Sequence, residues 1–370
     1  MDEKELGGRI RRARERVDRS QSSLGDALGL DRSAISLVEQ GQRNVRVTEL
    51  LKIADLLERP LSYFVAPDVP AVVSRRQALP DTHESTALLD DELRMFSSDV
   101  AALLAQGVLT GRDRNDVALR TPHDHDEAER TAQDVRNRGG IQGAEPVDDL
   151  GSFAETFGML TFAADLSPNG PDGACVEVGP TEQQLGAAVI NGRAPAGRRR
   201  MTLAHELGHW LFGDAYDHAA SRDAERMIDS FAIHLLVPRA GVTELWNGRQ
   251  GAPAREVALR VGSTFRVSWS AAVGQLRNLG FISYEEHLRL IASPPATGEF
   301  SRLRLTIRED KRCPYLSPAF LSSVLSAFAQ ERLTRERALE LLRGTLGPDD
   351  LPPLDDPQRE DLEASFFGHE

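Results

Sequence analysis

The most constraining stretch of this chain is His205-Glu206-Leu207-Gly208-His209, set inside a longer amphipathic pattern. From Arg198 to Phe212 the apolar residues Met201, Ala204, Leu207 and Leu211 recur at helical spacing, which predicts a helix with one buried face. On a helix, His205 and His209 are four positions apart and point the same way, so both can reach one metal ion. Glu206, one step round the helix, can take a proton from a water beside that ion. Burying imidazoles and a carboxylate is costly unless something satisfies them, and a cation does so.

Two histidines do not complete a metal site. Candidates for a third ligand are His218, Glu225 and Asp229. A metzincin arrangement would need Gly at 212 and His at 215, where this chain has Phe212 and Ala215. Asp223 to Ala232 reads instead as a second helix, with Met227, Ile228, Phe231 and Leu235 inward. Glu225 and Asp229 share one face of it. The spacing suits a His2Glu zinc site in which Asp229 orients a ligand histidine. Mn2+ or Fe2+ could occupy the same donor set. Tyr216 and His218, in the loop between the helices, are candidate donors to a developing oxyanion. His234 is expected to be structural or to support a ligand.

Elsewhere the chain suggests several domains. At 370 residues it exceeds one typical domain. Residues 1–66 carry short helical patterns. Ser20 is placed to cap a helix that Gly29 ends, Asp31 or Ser33 starts the next, and Val47 to Leu57 forms a fourth. Arg9, Arg11, Arg12, Arg14 and Arg16 are read as surface. Short helices around a Gly-containing turn predict a helix-turn-helix unit, able to place its second helix in the major groove. The net charge is −13, unfavourable for general polyanion binding, but residues 1–66 hold 12 Lys and Arg against 11 Asp and Glu.

Residues 67–121 read as a linker, with Glu92 to Leu109 an amphipathic helix for packing or self-association. Besides the two helices that carry the histidines and Glu225, residues 122–239 predict two more, Ala128 to Arg138 and Pro146 to Phe157, and three strands, Met159 to Ala163, Ala174 to Val178 and Gly186 to Asn191, an α+β arrangement. The last strand, if it lay at an exposed edge, could accept an extended peptide. His123 and His125 are read as surface residues. Residues 240–347 are mostly helical, with a second helix-turn-helix-like pair (Arg255 to Val261, Ser268 to Leu279), a strand over Glu299 to Arg308, and helices from Pro318 and Arg335. Residues 348–370 form an acidic, Pro-rich tail, expected to be disordered. Cys175 and Cys313 match no metal or redox spacing and are read as buried thiols in a reducing compartment. No apolar run approaches the ~20 residues of a membrane span, so a soluble, cytoplasmic protein is expected.

Two stretches resemble known families. Ser20-Gln21-Ser22-Ser23-Leu24, Arg32-Ser33-Ala34-Ile35-Ser36 and Glu39-Gln40-Gly41-Gln42-Arg43-Asn44 resemble the lambda-repressor and Cro-like (XRE) DNA-binding family. That resemblance implies Gln21, Arg32, Ser33 and Ser36 at bases or nearby phosphates, with Arg43 and Asn44 on the backbone. It also implies a DNA operator as partner, commonly read by a homodimer. Met201 to His209, followed by Glu225, Asp229, Phe231-Ala232 and Leu235-Leu236-Val237-Pro238, is similar to the ImmA/IrrE metallopeptidases. This implies a gluzincin-like zinc endopeptidase that cleaves or inactivates a transcriptional repressor in a stress or mobile-element response. His205, His209 and Glu225 would be the metal ligands and Glu206 the catalytic base. The fold class expected is therefore multidomain: an all-α helix-turn-helix domain, an α+β metallopeptidase domain and a mostly helical C-terminal region. The competing expectation is a non-proteolytic transcription factor or antitoxin using the site for structure or sensing. Glu206 favours the enzyme, because a purely structural site does not need it.

Overall fold

The structure, a computed structural model, describes residues 2–57, 59, 61–65, 74–76, 83–168, 170–213, 222–306 and 308–355. The chain divides into two compact units, Met1–Pro70 and Ala71–Glu370. None of the helices among the described residues is long and apolar enough to cross a membrane.

The first unit holds α1 (Glu3–Arg16), α2 (Gln21–Leu28), α3 (Arg32–Glu39), α4 (Val47–Leu56) and α5 (Leu61–Val65). Capping sets their boundaries. Ser20 Oγ accepts from the Ser23 N–H, Asp31 Oδ1 accepts from the Ala34 N–H at 2.7 Å, and Gly29 closes α2 at φ 70°. Ile10, Leu24, Ile35, Val38, Ile53 and Phe64 form the core. Two arginines expected at the surface lie inside it. Arg9 is 1% exposed and donates to the Tyr63 carbonyl, while Arg14 Nε donates to Glu39 Oε1 at 2.6 Å. Their charges are tolerated because each finds partners within the helical bundle.

The second unit is built on a five-stranded sheet of β1 (Ser74–Arg76), β2 (Met159–Ala164), β3 (Gly173–Val178), β4 (Leu185–Asn191) and β5 (Tyr315–Leu316), in the order β1-β3-β4-β2-β5. β2 and β4 are parallel; the other pairs are antiparallel. The central strands are buried throughout, as near-continuous apolar runs require when both faces are covered. Alternate residues feed two cores. Met159, Ala163, Cys175, Ala188 and Ile190 join the core on one face. Leu160, Phe162, Val176, Val178 and Val189 join the core on the other.

Helices cover both faces. In chain order they are α6 (His83–Ala105), α7 (Arg114–Val117), α8 (His125–Arg138), α9 (Leu150–Glu155), α10 (Ala196–Phe212), α11 (Arg222–Leu236), α12 (Arg239–Asn247), α13 (Ala254–Phe265), α14 (Trp269–Asn278), α15 (Tyr284–Ile291), α16 (Thr297–Arg302), α17 (Pro318–Ala329) and α18 (Arg335–Leu342). α8, α10, α11, α13 and α14 share the first core; α6, α17 and α18 share the second.

Several expectations are corrected. The helix within the expected linker is a layer of the second unit: Leu89, Leu93, Phe96, Val100 and Leu103 of α6 are buried against the sheet. The last strand of the expected trio, β4, lies inside the sheet between β3 and β2, so it offers no edge. β5 arrives from the C-terminal region, which is thus part of the sheet domain. Among the described residues of Glu299 to Arg308 there is no strand. Glu299 instead receives the Ala296 N–H at 3.0 Å as the capping residue of α16. The tail is ordered to Asp355, whose N–H reaches the Ala329 carbonyl at 2.8 Å; residues 356–370 lie outside the described residues. Cys175 is buried, whereas Cys313 is only partly so.

Candidate metal centre and DNA-facing helix

α10 and α11 meet with almost no gap, because Gly208 presents no side chain. A Cβ there would stand 2.9 Å from Ile228 Cγ2 and 3.2 Å from Phe231 Cδ1. Pressed together in this way, the helices bring His205, His209 and Glu225 to one point. One ligand atom from each lies within 4.8 Å of the others. His205 Nε2 is 3.0 Å from His209 Nε2 and 3.4 Å from Glu225 Oε2, and His209 Nε2 is 3.6 Å from Glu225 Oε1. Bonds of about 2.1 Å to a tetrahedral ion put its ligands roughly 3.4 Å apart, so this donor set fits such an ion. Two buried imidazole nitrogens converging on a carboxylate also want a cation between them.

Asp229 Oδ1 meets His205 Nδ1 at 3.0 Å, which leaves Nε2 for the cluster. Burial works against charge on His205, yet hydrogen bonds to Asp229 and Glu225 outweigh it and push its pKa up to about 9. Glu225, half-exposed, is held below the usual carboxylate range, first by its hydrogen bond to His205, with burial opposing. Glu206 is fully buried beside the two histidines. Tyr216 and His218 lie outside the described residues.

The cluster opens onto a cleft of about 1470 Å³. One wall is α14, through Ser270, Ala271, Gly274, Gln275 and Asn278, so the second helix-turn-helix-like pair flanks the site. Asp172 and Arg198 form an ion pair at the rim. His125, read as a plain surface residue, is exposed but lines this cleft, with Nδ1 2.8 Å from Ser230 Oγ. Sequence spacing could not reveal that contact across 105 positions. His234 is buried beside Gln275 (3.1 Å), and burial lowers its pKa.

The α10 helix is anchored at its N-terminal end by two buried arginines. Arg199 donates to the Gly192 carbonyl and pairs with Glu309 at 2.7 Å. Arg200, fully buried, pairs with Asp310 and donates to the Val147 carbonyl at 2.6 Å.

In the first unit, α3 presents Arg32, Ser33, Leu37 and Gln40 to solvent, with Ser36 partly covered. Leu37 and Gln40 were not singled out from the sequence, although helical spacing places both on the face of Ser33 and Ser36. Gln21 is engaged within the unit, donating to Glu39 at 2.7 Å, and Arg43 pairs with Glu49 at 2.8 Å. Asn44 is exposed.

Residues 10–64 match the family described as helix-turn-helix, and residues 154–277 match the IrrE N-terminal-like domain of peptidase family M78. The chain is thus a fusion of an XRE-type helix-turn-helix segment with an IrrE-like domain. No curated protein and no solved structure matches it.

Proposed function

We propose that this chain is a DNA-binding regulator that is also a zinc-dependent endopeptidase, acting on a transcriptional repressor in a stress or mobile-element response in the cytoplasm. The observation that carries this reading is the convergence of His205, His209 and Glu225 beside the buried Glu206. The three protein ligands suit zinc with an open position, and Mn2+ or Fe2+ are compatible. Bound there, the ion supplies Lewis acidity that polarises a peptide carbonyl and acidifies water. Glu206 takes the proton of the attacking water on its carboxylate and passes it to the departing amide nitrogen. Asp229 keeps the His205 ring in the tautomer that faces the cluster. Arg32, Ser33 and Ser36 of α3, with Gln21, are assigned to operator bases or nearby phosphates, and Arg43 and Asn44 to the backbone, in a homodimer.

Co-expression with a candidate repressor tests the reading. Wild type should deplete the repressor. Glu206→Gln should spare it while keeping its metal, with hydrolysis reduced about 10²–10⁴-fold. Depletion by both proteins, or by neither, would remove the peptidase claim.

A further inference from the structure

The strand beside the candidate metal cluster is β3, which would be the sheet edge but for the short β1, and it lies hard against α10. Gly173 allows this, since a Cβ would stand 2.7 Å from Thr202 Cγ2. Two residues on, the Cys175 thiol meets the Glu206 carbonyl at 3.6 Å. Asp172, just ahead of β3, lines the cleft with His205 and Glu225. A peptide strand added to the outer edge of β3 would therefore run alongside the helix that carries both histidines, its backbone groups satisfied by the sheet. The chain itself fills this place. Ser74–Arg76 pairs antiparallel with β3, Ser74 opposite Cys175, Arg75 opposite Ala174 and Arg76 opposite Gly173.

We propose that Ser74–Arg76 is an internal occupant of the peptide-binding edge, which must leave before a protein substrate can pair there. The register carries the idea, for Ser74 lies one strand spacing, about 4.8 Å, from the residue touching the Glu206 backbone. Three paired residues hold it, against six between β2 and β4. Backbone hydrogen bonds contribute only about 0.5–1.5 kcal/mol each, so a longer substrate strand can displace it. Because it is tethered, it competes at a high effective concentration and screens out weak peptides. The functional meaning rests on the peptidase reading, but the binding test needs no hydrolysis.

The test uses the full chain in a Glu206→Gln background, with a fluorescein-labelled peptide of residues 71–80 as probe. Two variants vacate the edge: Ser74→Pro/Arg76→Pro, which removes backbone donors, and the milder Ser74→Gly/Arg75→Gly/Arg76→Gly. Fluorescence anisotropy should show both variants binding the probe at least about tenfold more tightly than the parent, as loss of a tethered competitor requires. Hydrogen exchange at Gly173–Cys175 should quicken in the variants and slow again with probe. Equal affinity in parent and variants, or protection by the probe away from β3, overturns the proposal. If the proline variant does not fold, the glycine variant and the parent decide, since unprotected outer-edge amides of β3 in the parent overturn it too. Tighter probe binding together with absent hydrolysis in the chain retaining Glu206 would leave the occupied edge standing and remove only the peptidase reading.

Discussion

The α2–α3 pair and the α13–α14 pair are built from the same local grammar and put to opposite uses. Each second helix starts at a capping side chain, Asp31 in one and Ser268 in the other. In the first pair that helix keeps Arg32, Ser33, Leu37 and Gln40 outward. In the second, Ala272, Val273 and Leu276 enter the core shared with α10 and α11, and the face beside them becomes a wall of the cleft. The polar anchors differ as well. Glu39 secures the first pair through Arg14 and Gln21. Arg266, at the turn of the second pair, contacts Asp148 and joins the network of Arg200, Asp310, Lys311 and Asp149. A helix-turn-helix pattern is therefore a statement about turns and caps, and what covers its second helix decides its role.

This contrast can be broken most forcibly at Asp310. Asp310→Asn leaves Arg200 buried without its counter-charge and should destabilise the second unit by about 3–5 kcal/mol, read from the urea midpoint. Burial opposes charge on Asp310, but Lys311 and Arg200 outweigh it and hold its pKa below the usual value. Its stabilisation is then fully present above about pH 4 and lost as pH falls through the depressed folded value. An acid titration in which wild type and Asp310→Asn lose stability in parallel would contradict this.

A smaller effect is expected at Asp229. Asp229→Asn should weaken zinc binding about 10–100-fold and leave operator binding unchanged. With His205 raised to about 9, the metal-free ring is protonated at neutral pH, and metal must displace that proton. Apparent affinity should rise about tenfold per pH unit towards pH 9, and calorimetry in buffers of different ionisation heat should show proton release. In the metal-free fold the same proton contributes stability fully below about pH 6.5, lost as pH rises through 9.

The smallest difference compares the two pairs on DNA. Arg32→Ala should cost about 1–3 kcal/mol in operator affinity. Arg277→Ala, on α14 and stacked 4.8 Å from the Tyr284 ring, should change it by less than about 0.5 kcal/mol. Equal losses in a salt-controlled gel shift would erase the distinction between the two pairs.

What could be read in the sequence was mostly local. Ser20, Gly29 and Asp31 act within a few residues of themselves, and the spacing of His205, His209, Glu225 and Asp229 is a property of two single helices. Contacts between distant segments were hidden. Nothing near Arg200 announces Asp310, and nothing near His125 announces Ser230. β1 and β5 are three and two residues long, too short for alternation to register, and exist through their partners. Arg9 and Arg14 look exposed by charge alone, while the partners that hold them inside, the Tyr63 carbonyl and Glu39, come from other helices. The apolar alternation of Glu299 to Arg308 loses to a helix that starts at Thr297 and is capped through Glu299.

The two-sided sheet has a practical consequence for dissecting the molecule. The layer behind it is assembled from both ends of the unit, α6 preceding the matched IrrE-like residues and α17–α18 following them. A fragment trimmed to residues 154–277 would keep His205, His209 and Glu225 yet bare Leu160, Phe162, Val176, Val178 and Val189 to water. Such a piece would aggregate, its exposed sheet face sticking to copies of itself. The smallest self-sufficient version of this candidate site reaches well past the matched segment on both sides.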